Sequence, residues 1–380
     1  MEPFKRLINA RTVEQTGAQL QRVWPAFDRR RFETLAASGL EQLELKARAL
    51  QLAGALQVTL PDDFARAAHI IEAALAPPIP VDAEGEPRTL GGTQADQGLS
   101  GWVIWSLGEF VARAGVADVP RALACLHALT QRFSAEFAIR PFVRDHPGLV
   151  FETLARWTQD PSPHVRRLVS EGSRPRLPWG LRLQSLVADP SPTRPLLQAL
   201  QDDASAYVRR SVANHLNDIA KDHPQLVCEW VLTYRQDENA RRTALLRHAS
   251  RGLIKQGHAP TLLAWGLHPG VRGQATLDLS PPRVRVGEAV DLRVTLASTG
   301  ADIQDLVVDY AVHHRRANGS ASPKVFKGWK LRLAPGETRT LEKRHSLRPV
   351  TTRTLYPGPH RVTLAVNGQV LCEAGFDLLP

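Results

Sequence analysis

Asp160-Pro-Ser-Pro-His164-Val165-Arg166-Arg167 recurs 43 residues later as Asp203-Ala-Ser-Ala-Tyr207-Val208-Arg209-Arg210, and roughly 33 residues further on as the degenerate Asp237-Glu-Asn-Ala-Arg241-Arg242. Each copy is an acidic turn followed by a helix that opens with paired arginines. The offsets bracket the period of HEAT or armadillo helical pairs. Such pairs cannot bury their apolar faces alone, so they stack into a solenoid with a concave side. Working outward, apolar residues recur at three- and four-residue spacing in 41–56, 65–75, 121–133 and 195–200, which predicts further helices. Residues 1–265 therefore read as an all-α HEAT-like repeat solenoid. The stretch 77–98, with four prolines and four glycines, reads as a loop. The alternative for the whole region is an unrelated helical bundle.

Beyond a linker at 266–273 the pattern changes to alternation. Segments 275–279, 290–297, 307–313, 325–333, 338–345, 360–366 and 370–376 alternate apolar with polar residues, and turns such as Ala334-Pro-Gly336 and Asn367-Gly368 separate them. Seven short strands within 274–380 predict an immunoglobulin-like β-sandwich, here without the cysteine pair of antibody domains. The fold class is thus multidomain α plus β, helical repeats first and a β-sandwich second.

Composition narrows the function classes. No apolar stretch is long enough to span a bilayer, and the N-terminus lacks the apolar core of a secretory signal. Cys125, Cys228 and Cys372 are too dispersed for a disulfide framework or a zinc site, which fits a reducing cytoplasm and predicts no metal. No phosphate-loop, dinucleotide or metallohydrolase signature occurs, so no cofactor is expected. The net charge is +10, mostly from arginine, whose planar fork matches phosphate. From residue 269 onward 16 Lys and Arg face 10 Asp and Glu, so the smaller domain holds more than half of the excess and is expected to help grip a polyanion.

Three segments stand out from the helical background: Arg132-Phe-Ser-Ala-Glu136-Phe-Ala-Ile-Arg140, Val169-Ser-Glu171-Gly-Ser-Arg174-Pro-Arg176-Leu-Pro-Trp179, and Val208-Arg-Arg-Ser-Val-Ala-Asn214-His215-Leu-Asn217-Asp218 with its continuation to Pro224. Together they resemble the AlkC branch of the HEAT-like-repeat DNA alkylation-repair glycosylases, the superfamily shared with AlkD. An added immunoglobulin-like domain is a variation within that branch, whereas the first hundred residues match no named pattern. The resemblance implies that Glu136, Glu171, Asp218 and Trp179 surround a damaged nucleotide. It also implies excision of 3-methyladenine and 3-methylcytosine by hydrolysis of the N-glycosidic bond; double-stranded DNA is the expected partner and a monomer the expected acting species.

Spacing lends this independent sense. Glu136, Glu171 and Asp218 lie 35 and 47 residues apart, near one repeat each, and equivalent positions of stacked repeats face one side. Three carboxylates gathered there repel one another, which predicts a cationic guest. A base methylated at a ring nitrogen is such a guest. It is a good leaving group without a general acid, and a carboxylate can stabilise the oxocarbenium-like sugar and orient water. Asp218 is the first choice, with Glu136 or Glu171 assisting. Trp179, in a segment stiffened by Pro175 and Pro178, offers a ring face to the cation. Lys221 is the sole lysine in these segments, so Schiff-base strand cleavage is not expected.

Each residue also has an ordinary role open to it. Glu136 can pair with Arg140 or sit at a helix start behind Ser134, Glu171 can pair with Arg167, and Asp218 with Lys221 or Asn214. Trp179 can be a core aromatic. Arg166, Arg167, Arg174, Arg176, Arg209 and Arg210 are the candidate phosphate contacts, half of them expected to touch DNA. The others would pair with acidic turns such as those of Asp160 and Asp203. His215 reads as a packed residue, and His313 and His314 as strand residues. The competing functions are a non-catalytic binder of damaged or bent DNA and a protein–protein scaffold.

Overall fold

The computed structural model describes residues 4–88, 97–236, 239–350 and 354–380. The chain forms two compact units, Met1–Asp222 with Asn239–Ala249, and His223–Glu238 with Ser250–Pro380.

Helix after helix builds the first unit, and side-chain caps set many of the starts. The Asp28, Asp63 and Asp118 carboxylates accept the amides of Arg31, Arg66 and Arg121, three otherwise orphaned donors. Proline occupies the first turn of Val119–Thr130, Pro147–Trp157 and Pro163–Gly172, where its missing N–H costs nothing. The repeat is visible atom by atom. Asp160 and Asp203 each accept the amide of the serine two residues on, both at 2.8 Å. Arg166 Nη1 closes the turn by donating to the Asp160 and Pro161 carbonyls, and Arg209 Nη1 does the same to Asp203 and Ala204. The third copy keeps only Asn239, which accepts the Arg241 and Arg242 amides; Asp237 lies outside the described residues. Helix Ala206–Ile219 then packs between Pro163–Gly172 and Ala240–Ala249. Val165, Leu168 and Val169 meet Val208, Val212 and Leu216 in the shared core, all fully buried.

Between repeats, arginine staples add to the apolar contact. Arg166 grips Asp203 of the following copy at 2.6 and 3.0 Å, and Arg242 grips Asp202 at 2.8 and 2.5 Å. The segment read as a loop is tied down over Ile79–Arg88. Ile79 donates its amide to Gln131 O and accepts from His164 Nε2, Ala206 N–H donates to Glu84 O, and Ser205 Oγ donates to Gly85 O. Gly85 has φ +73°, and a Cβ there would lie 2.5 Å from that of Ser205, so only glycine fits. Residues 89–96 of the expected loop lie outside the described residues.

The second unit is a sandwich with helices of its own. Strands β1 (Gly273–Ser280), β3 (Ala289–Ser298) and β6 (Thr338–Ser346) form one sheet in the order β1-β3-β6. Strands β2 (Arg283–Arg285), β4 (Gln304–Arg315), β5 (Ala321–Leu333), β7 (Gly358–Val366) and β8 (Gln369–Leu379) form the other, ordered β2-β8-β7-β4-β5. All pairs are antiparallel except β2 with β8. Alternation works as expected: Val290, Leu292, Val294 and Leu296 of β3 point inward onto Leu306, Val308, Tyr310 and Val312 of β4. Asn367 and Gly368, at φ +46° and +78°, make the tight turn between β7 and β8. The three-residue β2 escaped the sequence reading because a run that short has no measurable period. Helices Pro224–Tyr234 and Ala259–Ala264 pack on each other in this unit. Its Asn367 Nδ2 donates to His268 O at 2.7 Å, and Gly270 N–H donates to Val366 O.

Among the described residues, no helix is long and apolar enough to cross a membrane, and no group of three His, Cys, Asp or Glu could hold a metal ion.

Candidate active site

Helix register brings the three carboxylates onto one line of ion pairs in the first unit. Glu171 sits on helix Pro163–Gly172 and Asp218 on the next repeat's Ala206–Ile219, while Glu136 lies in the turn before Arg140–Asp145. Glu136 Oε2 lies 2.7 Å from Arg167 Nη1, whose Nη2 lies 3.8 Å from Glu171 Oε1. That oxygen accepts from Arg174 Nη1 at 2.5 Å, and Arg174 Nη2 reaches Asp218 Oδ2 at 2.8 Å. Asp218 Oδ1 accepts from Lys221 Nζ at 2.8 Å. Anion and cation alternate along the line.

The expectation that carboxylate repulsion waits on a cationic guest is corrected here, because Arg167, Arg174 and Lys221 already interleave the three acids. Burial makes that matching necessary, since an unpaired ion in a low-dielectric site is costly. Exposure of the carboxylate side chains falls from 14% at Glu136 to 7% at Glu171 and 2% at Asp218. Burial pushes the Glu171 carboxyl up, but Arg167, Arg174 and the Ser211 hydroxyl, 2.5 Å away, outweigh it and hold the group below its ordinary range. Beneath the line Arg140, fully buried, donates to Leu181 O and Gly172 O. Burial, reinforced by Arg174, lowers its guanidinium to about 10.

The ordinary pairings sort out accordingly. Glu136 pairs with Arg167 rather than Arg140 and also accepts from Ser134 Oγ. Glu171 takes Arg174 before Arg167, and Asp218 holds both Lys221 and Arg174.

Trp179 is not a core aromatic. It is 60% exposed and has φ +64°, a left-handed conformation that costs a non-glycine residue roughly 1–2 kcal/mol. Several contacts hold it there. Its ring lies parallel to Trp105, 6.3 Å between centroids at 2°, and its carbonyl accepts from Lys46 Nζ. Gly180 beside it leaves room for Arg140, whose Cδ would lie 3.3 Å from an added Cβ. The stack continues through Trp105 to Phe137, next in sequence to Glu136, with centroids 4.7 Å apart. Ring contacts thus run from Trp179 through Trp105 to Phe137, the residue after Glu136. Trp105, Ser211 and Tyr207 were missed by the sequence reading. Trp105 is buried on helix Val103–Ala114, a segment in which the sequence reading marked no helix, and the other two face the site only once the repeats stack.

The six arginines divide. Arg166 staples two repeats, Arg167 and Arg174 belong to the carboxylate line, and Arg210 pairs with Glu86 at 2.8 and 2.6 Å. Arg176 pairs with Asp222 in a more open position, and Arg209 donates to the carbonyls of its own turn. His215 is fully buried, donating through Nδ1 to Ser170 O, and burial lowers it to about 4.

Comparison with known proteins bears on what this line of residues is. Residues 274–380 match the family model described as "Uncharacterised protein YhaZ, C-terminal Ig-like domain". The chain is 32% identical over 385 residues to the uncharacterized protein YhaZ of Bacillus subtilis, covering all of both chains. It is 35% identical, again over all of both chains, to the Pseudomonas fluorescens alkylpurine DNA glycosylase AlkC bound to DNA containing an abasic site analog, with a TM-score of 0.88. The chain belongs to the AlkC family. Its helical repeats followed by an immunoglobulin-like domain match the similar Pseudomonas fluorescens protein over the whole length of both chains. Membership places the chain among the DNA alkylation-repair glycosylases in general terms.

Proposed function

We propose that this AlkC-family chain hydrolyses the N-glycosidic bond of cationic alkylated bases, 3-methyladenine and 3-methylcytosine, in double-stranded DNA. The observation that carries the reading is the convergence of Glu136, Glu171 and Asp218 on one ion-paired line beside an exposed, strained Trp179. The similar Pseudomonas fluorescens protein is an alkylpurine glycosylase bound to abasic-analog DNA, which fits a product state of this reaction.

In this reading the cationic base leaves with the electron pair of the glycosidic bond and becomes neutral, so no acid is required. Positive charge develops on the sugar, where a preorganised carboxylate stabilises it and takes the proton of the attacking water. Asp218 is assigned that role. Both of its oxygens are paired, but Lys221, 51% exposed, covers Oδ1 and needs only to swing its flexible stem to uncover it. Glu171 and Glu136 hold Arg174 and Arg167 and so fix the geometry. Trp179 offers its free ring face to the cation or the sugar, worth roughly 0.5–2 kcal/mol. Lys221 is engaged by Asp218, which fits a monofunctional enzyme. Arg176 and Arg209 are the proposed phosphate contacts, because their exchange of partner breaks no buried pair. The protein acts as a monomer in the cytoplasm, without metal or cofactor.

The burial of Asp218 favours a second reading, a binder of damaged DNA that performs no chemistry. Incubation with methylated duplex separates the two. Free 3-methyladenine or 3-methylcytosine is expected, and Asp218→Asn should abolish its release while binding persists. Binding without release by the unaltered protein would leave the second reading standing.

A further inference from the structure

Tyr207 is the second residue of helix Ala206–Ile219 and touches none of the three carboxylates by hydrogen bond, yet it lies between two guanidinium groups. Arg167 Cζ sits 4.9 Å from its ring centroid and Arg210 Cζ 5.9 Å. The His164 imidazole meets the ring edge-on at 5.9 Å. Arg167 is the link that joins Glu136 to Glu171, and it also donates to Ser134 Oγ at 3.0 Å. Arg210 is held from the other side by Glu86 of the Ile79–Arg88 segment, across 124 residues of sequence. That segment is tight. Asp82 Oδ1 accepts the amides of Glu84 and Glu86, and the backbone of Glu84 and Gly85 is bonded to the start of the Tyr207 helix.

A continuous set of contacts therefore runs from Glu86 through Arg210, Tyr207 and Arg167 to Glu136 and Glu171. We infer that Tyr207 is a positioning residue, the aromatic platform that fixes the Arg167 guanidinium between the two glutamates, and that the Ile79–Arg88 segment is the strap that fixes Tyr207. The inference rests on the glycosylase reading for its consequence but not for its geometry. A guanidinium stacked on a ring keeps its five donors in plane while losing rotational freedom, so its N–H groups stay directed at the carboxylates. Glu136, Glu171 and Tyr207 all favour the Arg167 cation and together outweigh the effect of its burial, so that its pKa is raised. The groups that face it are Glu136, Glu171, Ser134, Tyr207 and Arg210, with His164 behind the ring. Without the platform Arg167 can leave Glu136 for solvent, and the Glu171 carboxyl, which Arg167 helps hold low, titrates higher.

The test compares Tyr207→Leu, which removes the ring, with Tyr207→Phe, which keeps it, in the full chain. Carboxyl carbon NMR follows Glu171 with pH, and release of base is measured on a duplex with a single 3-methylcytosine. Tyr207→Leu should move the Glu171 midpoint up by about one unit and cut kcat about tenfold while KM changes less than about twofold, the split expected when orientation rather than binding is lost. Tyr207→Phe should restore both, and Glu86→Gln should shift both in the same direction by less. An unmoved Glu171 titration in Tyr207→Leu would overturn the inference, as would a Tyr207→Phe protein as impaired as Tyr207→Leu. If the midpoint shifts as expected but the unaltered protein releases no base, the positioning role stands and the glycosylase reading fails.

Discussion

Arg174 Nε donates to Asp218 Oδ2 at 2.8 Å, joining side chains 44 residues apart whose exposures are 10% and 2%. A pair this deep is matched rather than strongly stabilising, since desolvation offsets most of the attraction. Its loss is another matter. Arg174→Gln leaves Asp218 and Glu171 short of a cation and should destabilise the protein by about 3–5 kcal/mol. Arg174→Lys, a point charge in place of a fork, should retain most stability but misplace Asp218 and slow base release by about tenfold or more. Denaturant melts with single-turnover release would show it, and an Arg174→Gln protein as stable as the parent would refute the pairing.

Trp179 invites the opposite outcome. Its backbone is left-handed and its ring mostly in solvent, so Trp179→Gly relieves strain while forfeiting only the stack on Trp105. Melting temperature should hold or rise, with a gain of up to about 1 kcal/mol. Base release should fall sharply. A variant that loses stability and activity together would mark Trp179 as structural.

Two arginines that each pair with an aspartate should behave differently. Arg166 staples Asp203, whose side chain is 5% exposed, so Arg166→Ala is expected to cost about 3 kcal/mol of stability. Arg176 pairs with Asp222 at an exposed position, so Arg176→Ala should leave the melting temperature essentially unchanged and instead weaken DNA binding uniformly across sequences. Binding by Arg176→Ala equal to that of the parent would remove it from the phosphate contacts.

The sandwich can be tested without deleting it. Removing residue 269 onward would strip helices Pro224–Tyr234 and Ala259–Ala264 of the unit they belong to. Half of the chain's eight lysines lie on two edge strands, Lys324, Lys327 and Lys330 on β5 and Lys343 on β6. If they grip DNA, replacing the three on β5 with Gln should reduce the slope of log affinity against log salt by about 0.9 for each phosphate no longer neutralised. An unchanged slope would assign these lysines to edge protection alone.

Stability should also depend on pH in a defined direction. Burial, with Arg174 adding to it, holds His215 neutral by lowering its pKa from 6.5 to about 4. The unfolded chain therefore binds the proton first, so this contribution is complete above pH 6.5 and declines as pH falls toward 4, by about 3 kcal/mol in all. His345, lowered to about 4 by burial and by Lys324 and Lys343, acts alike in the sandwich unit. Glu171, held below its ordinary 4.5, contributes fully above pH 4.5 and loses that contribution as pH falls from 4.5 through its lowered folded value. Melts from pH 7 to 4 should slope downward, and His215→Gln should flatten part of that slope. A flat profile in the parent protein would contradict the neutral, buried imidazole.

The repeats were legible in the sequence because one turn is used twice. Asp160 and Asp203, Ser162 and Ser205, Arg166 and Arg209 make the same short-range bonds, and bonds of that reach leave a period in the residues themselves. The sandwich was legible for a similar reason, its alternation recording which side of each strand is buried. The candidate site was visible through Glu136, Glu171, Asp218 and Trp179. The tasks of the arginines were not. Arg166 and Arg209 look alike along the chain, yet Arg166 also grips Asp203 of the next repeat, and Arg210 finds Glu86 in a segment that composition marked only as loop.

By itself the sequence determined the repeat period, the change from helix to strand near residue 270, and which acidic residues recur one repeat apart. These follow from backbone hydrogen bonding and side-chain periodicity, which act over a few residues. Tertiary structure decided which cation stands beside which carboxylate, that Trp179 is strained and exposed, and that Tyr207 lies between two arginines. Those outcomes depend on burial, and a charge's partner in a low-dielectric interior is set by what the stacked helices bring within about 4 Å.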